Sequence, residues 1–184
     1  MRTKQAHTTT IRHGLIVLGL TAMLLGRALA FAATPAPQTI TEKMSCAACG
    51  MYPHRYPQWQ TQVIFTDGTM SAFDGNKCMF RFLLNLKQFA PARQPEQIAA
   101  IWVKDFKTGN WLDGKTAHYV IGSQEMGPMG KELIPFATRA VAEEFQKANG
   151  GAIETYANIS MATIKQLMGG MQHMQMNMPH PPMH

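Results

Sequence analysis

The segment Cys46-Ala47-Ala48-Cys49-Gly50-Met51 holds the residues whose types and spacing most directly permit chemistry. Two thiolates separated by two residues can converge on one metal ion, because the intervening turn brings both sulfurs to one side. Gly50 eases that turn. Met51 adds a thioether within reach of the same point. Soft sulfur donors select monovalent copper over hard cations. A site with few ligands also lets an incoming donor displace them stepwise, which suits hand-over. Three other uses fit a CxxC pair. A structural zinc site wants four ligands, which Cys78 and His54 would have to complete. A thioredoxin-like dithiol sits between a strand and a helix, whereas Tyr52-Pro53 and Tyr56-Pro57 break any helix here. A plain disulfide is the third, in an oxidising compartment.

Other sulfur lies farther along the chain. Cys78 falls between Lys77 and Met79 in an apolar run, and a free cysteine in such a setting is expected to pack in the core. Gln124-Glu125-Met126-Gly127-Pro128-Met129-Gly130 reads as a surface loop, from which either Met126 or Met129 can reach a site elsewhere. Residues 168–184 hold six methionines and three histidines and no charged side chain. Their glycines and prolines argue for a disordered tail, and Met171, His173, Met174, Met176, Met178, His180, Met183 and His184 are candidate auxiliary copper ligands on it. Weak adhesion of a Met-rich end to apolar surfaces is the bland alternative.

The elements that must position these groups follow from periodicity. Residues 61–65 have strand composition, Asp67-Gly68 is a hairpin turn signal, and residues 69–73 form the return strand. Residues 77–86 repeat apolar positions at helical spacing, with Asp74 near the helix cap. Residues 99–105 make the next strand. A second series reads as strand 117–122, short strand 133–136, helix 137–148, a stop at Asn149-Gly150-Gly151, and strand 151–156. The expected fold is therefore α+β, two packed ββαβ units forming one small domain over residues 43–167. Residues 33–42 are expected to be a proline-bearing linker that need not pack.

Residues 1–32 read as a cleavable export signal, with a basic start, an apolar run from Gly14 to Leu25, and Ala30-Phe31-Ala32 as the cleavage site. Arg27 interrupts the run, so a stable membrane anchor is not expected. The formal charge of +6 rests largely on this segment, since beyond it 13 basic residues face 11 acidic ones. Those bases are scattered singly, which excludes a phosphate-binding face and hence a nucleic-acid partner. No catalytic triad, phosphate loop or nucleotide motif is present in the sequence, so no enzymatic role is expected.

The chain resembles the NosL family, accessory proteins for assembly of nitrous oxide reductase in denitrification. The resemblance rests on Cys46-Ala47-Ala48-Cys49-Gly50-Met51, on Phe65-Thr66-Asp67-Gly68 followed by Phe73-Asp74, and on Val103-Lys104-Asp105-Phe106 with Trp111. It continues through Ala117-His118-Tyr119-Val120, Pro128-Met129-Gly130 and Gly150-Gly151, covering residues 43–157. It implies a periplasmic copper chaperone similar in fold to the core of organomercurial lyase. Cys46, Cys49 and Met129 would then hold Cu(I), taken from a copper transporter and delivered to an apo cuproenzyme, by resemblance nitrous oxide reductase. Two features depart from the family. Its members are commonly lipoproteins, and no cysteine lies near the expected cleavage site. The Met/His tail is outside the family core, which leaves another exported cuproenzyme open as acceptor. A periplasmic thiol-disulfide oxidoreductase acting on a metal-site precursor is the alternative from another class, and a lyase of organometallic bonds follows only from fold analogy.

Overall fold

The computed structural model describes residues 33–176, with side chains through residue 169. The expected export signal and residues 177–184 lie outside the described residues. Among the described residues no helix is long and apolar enough to cross a membrane.

The first unit is a four-stranded antiparallel sheet and a helix. Strands β1 (Thr61–Phe65) and β2 (Met70–Phe73) form the expected hairpin, and Asp67 closes its turn by accepting from Thr69 N–H at 3.0 Å. Helix α1 (Asn76–Leu84) follows, then a single helical turn α2 (Leu86–Phe89), then β3 (Ile98–Lys104), which pairs with β1. A short strand that periodicity does not reveal, β4 (Trp111–Asp113), adds to β3, giving the order β2-β1-β3-β4. Three residues are too few to show an alternation.

The second unit repeats this plan. Strands β5 (His118–Gly127) and β6 (Gly130–Phe136) form a hairpin, helix α3 (Arg139–Asn149) follows, and β7 (Ala152–Thr155) returns beside β5. Its strand order, β6-β5-β7, matches β2-β1-β3 of the first unit. The two ββαβ units are thus topological copies. Thr138 caps α3 through its hydroxyl, and Gly150 ends that helix at a φ of 71°.

Alternation along the second sheet shows how the units join. Tyr119 and Leu133 belong to the main core with Phe73, Phe80 and Phe82 of the first unit. Their neighbours Val120 and Ile134 face the other way, into a smaller cluster with Phe136 and Ala142 under α3. The second sheet is buried on both faces. Helix α1 packs on β1 and β2 of its own sheet and also on β6. One core therefore runs through both units.

One expectation is corrected here. Residues 34–39 pack instead of hanging free: Gln38 and the fully buried Gln62 exchange hydrogen bonds at 2.8 and 3.0 Å, and Trp102 Nε1 donates to the Pro35 carbonyl at 2.9 Å. An amide buried in a central strand needs partners, and this segment supplies them. A final helix, α4 (Met161–Met176), closes the described part of the chain, and Met168 packs against the core.

Candidate metal centre

The CxxC loop is folded by its own backbone. Cys46 N–H donates to the Met51 carbonyl at 2.6 Å and Gly50 N–H donates to the Cys46 carbonyl at 2.9 Å, while Gly50 takes a φ of +81°. That left-handed turn is strained for any residue with a Cβ. Ala47 N–H hangs the loop on β2 by donating to the Ala72 carbonyl at 3.0 Å. The sulfurs are thereby delivered to the end of β2, where the chain passes through Phe73-Asp74-Gly75 into α1.

Four side chains converge there. One ligand atom each from Cys46, Cys49, Asp74 and Cys78 lies within 4.8 Å of the others, a grouping that could hold a metal ion. Cys46, Asp74 and Cys78 are buried and Cys49 is half-buried. The assignment of Cys78 changes and that of Asp74 gains a partner. Cys78 is buried as expected, but its thiol points into this cluster and not merely into apolar packing. Asp74 lies beside the N-cap of α1, Gly75, as expected, and its carboxylate accepts from the Cys49 thiol at 3.3 Å.

Met129 reaches the same point from the second unit. It sits with Pro128 in the two-residue turn between β5 and β6, closed by the pairing of Gly127 with Gly130. The Cys78 thiol lies 3.8 Å from its Sδ. Met126 stays exposed on β5. Met51 is half-buried and serves the loop through its backbone, as acceptor for Cys46 and as N–H support for the Cys49 sulfur. Met171, His173, Met174 and Met176 fall on the last turns of α4, where only the backbone is described, and Met178, His180, Met183 and His184 lie outside the described residues.

Proximity splits the three thiols electrostatically. Cys46 is lowered to about 7, chiefly because Cys78 shares its thiol hydrogen with it, against the cost of burial. Cys78 is pushed strongly up by that same donation. Cys49 is raised to about 12, first by burial and then by its neighbour Cys46. Cys46 is thus the thiol that ionises most readily, beside two thiols that a soft cation can deprotonate in turn. The expected pair Cys46 and Cys49 is brought together with two groups to which sequence reasoning gave other roles. The available signal was position: Cys78 lies in the first turn of the helix that directly follows β2 and Asp74.

Comparison with known proteins agrees with this architecture. The Copper-binding lipoprotein NosL of Achromobacter cycloclastes is 30% identical over 142 residues, spanning 70% of this chain and 69% of that protein. The crystal structure of the copper chaperone NosL from Shewanella denitrificans shares the fold, with a TM-score of 0.60 at 23% identity over 69% of this chain and 97% of that one. The solution structure of apo-NosL from Achromobacter cycloclastes matches at 26% identity over 56% of this chain and 87% of that one, with a TM-score of 0.41. Since the NosL family model matches residues 37–164, which contain both ββαβ units and all four clustered side chains, this chain belongs to the NosL family.

Proposed function

We propose that the protein is an exported copper chaperone that binds one Cu(I) ion and passes it on without catalysis. The observation that carries this reading is the meeting of the Cys46, Cys49 and Cys78 thiols with the Met129 thioether, whose Sδ lies 3.8 Å from Cys78. Thiolate and thioether together form a soft donor set. The names of the relatives, a copper-binding lipoprotein and a copper chaperone, support the same cargo. Cys49 is the least buried of the three thiols, so an acceptor's donor atom would displace it first and draw the ion outward. Residues 1–32 would direct export to the periplasm and be removed, and the acceptor would be an apo cuproenzyme, by family nitrous oxide reductase. The Met and His residues of 168–184 would collect copper for the core site.

Asp74 favours one competing reading. Three thiolates and a carboxylate make four ligands of types that zinc accepts. The thioether beside Cys78 is what argues for copper, since zinc in proteins is held by Cys, His, Asp and Glu and not by a thioether. A thiol-disulfide exchange role is disfavoured by exposure, because the low-pKa thiol, Cys46, is buried, and an attacking thiolate must be reachable. The test is titration of reduced protein, residues 33–184, with Cu(I) and with zinc under competition from a chromophoric chelator. One tightly held copper that is lost on joint Cys46→Ser and Cys49→Ser substitution is expected. Zinc bound as tightly as copper, or copper unaffected by those changes, would overturn the reading.

A further inference from the structure

Two charged residues, Lys77 and Glu132, are buried at the seam between the units, at 3% and 2% exposure. Each reaches across it. Lys77, in the first turn of α1, donates from Nζ to the Met129 carbonyl at 2.6 Å and to the Lys131 carbonyl at 2.7 Å. Glu132, on β6, accepts at Oε2 from the Lys77 backbone N–H at 2.8 Å and from its neighbour Leu133 N–H at 3.3 Å. Helix α1 has no side-chain cap of its own, so Glu132 supplies one from the other unit. The fit is close on both sides, because a Cβ added to Gly75 would stand 2.7 Å from Glu132 Oε1 and one added to Gly127 would collide with Glu132 Cγ.

Burying an ammonium group is costly, and two backbone carbonyls satisfy it here without a carboxylate directly on it. One carbonyl belongs to the tight turn and the other to the strand leaving it, and the residue after Lys77 is Cys78, so a single side chain fixes the turn's position relative to that thiol. From this geometry we infer that Lys77 and Glu132 are positioning residues, which lock the Met129 turn onto the first turn of α1 and so hold the thioether at the thiols. The inference rests on Met129 being a ligand to the bound copper. Without the brace, the thioether would have to be recruited from a mobile hairpin tip, with the ordering cost charged against binding.

The experiment is a double-substitution cycle on the full mature chain with Cu(I) as the probe. Met129→Ala, Lys77→Met and the pair are compared by competition against a chromophoric chelator, with thermal unfolding of the copper-free proteins in parallel. Lys77→Met is expected to weaken copper by about tenfold, in the range typical of residues that orient ligands, and to add nothing once Met129 is alanine. Peroxide oxidation followed by peptide mass spectrometry gives a second readout: copper should protect Met129 in the parent and leave it unprotected in Lys77→Met. Lys77→Gln, which keeps a donor and loses the charge, replaces Lys77→Met if that variant does not fold. A Lys77 effect of equal size in both backgrounds would mean that the lysine acts through its charge or through Cys78, and would overturn the inference. If Met129→Ala alone changes nothing, the thioether reading itself fails and the brace has no copper to position.

Discussion

Cys78 can be filler or ligand, and burial alone does not separate the two, because buried cysteine serves either purpose. What separates them is the direction of the sulfur, which faces Cys46, Cys49 and Asp74. Cys78→Ala should therefore weaken Cu(I) by at least about tenfold, measured against a competing chelator. A mere packing role would lower the melting temperature and leave affinity alone. The unequal thiols give a second expectation. A thiol that is protonated before binding releases its proton to copper, so affinity rises with pH until the pH passes that thiol's pKa. Cys46, near 7, stops contributing above neutrality, while Cys49, near 12, contributes throughout the accessible range. The slope of log affinity against pH should fall by about one proton between pH 6 and pH 9, once the chelator's own protonation is accounted for. Cys46→Ser should abolish that break in slope.

The β5–β6 hairpin is the element on which the second unit's contribution depends. Its two-residue turn presents Met129, and its strand β6 carries Glu132 into the seam. Complete burial raises Glu132 to about 7, although two backbone N–H groups favour its charged form. The folded state thus holds this proton more tightly than the unfolded chain, whose carboxyl sits near 4.5. Its share of stability is full below about 4.5 and is lost as pH rises through about 7. Glu132→Gln cannot ionise, so its melting temperature should gain on that of the parent as pH goes from 5 to 8. Parallel pH profiles for the two proteins would show that Glu132 folds in its charged form. Gly127→Ala should cost about 1–3 kcal/mol in thermal or denaturant unfolding, because its Cβ would collide with the Glu132 stem.

Across the whole molecule, α4 ties the two units together. It packs on α1 of the first and on β6 of the second, with Ile164 fully buried and Leu167 nearly so. Ile164→Ala should cost about 2–5 kcal/mol of stability, read from chemical unfolding. Truncation after residue 168 is the contrasting case. It keeps Ile164 and Leu167, so the copper-free protein should melt within a few degrees of the parent. The loss should show in acquisition, since tethered thioethers and imidazoles raise the local concentration of donors. Copper uptake from a dilute chelated pool should slow while the affinity of the core site stays the same. Unchanged uptake would make residues 169–184 inert.

The sequence by itself determined what is local. The hairpin at Asp67-Gly68, the helix stop at Gly150 and the CxxC turn all depend on residues a few positions apart, and the order of elements was enough to read two ββαβ units, although residues 124–127, expected in a surface loop, extend β5 to a two-residue turn at Pro128-Met129. Turn chemistry and side-chain periodicity act over that range, so they are legible without a fold. The tertiary structure decided which of the chemically capable residues meet. Met129 approaches Cys78 from 51 positions away, and Glu132 caps α1 from 55 positions beyond Lys77. Asp74, beside the N-cap of α1, faces the thiols. Such convergence depends on how two separately patterned sheets pack around one helix, and the apolar spacing that makes each sheet bury a face does not specify which polar and sulfur groups will share the seam.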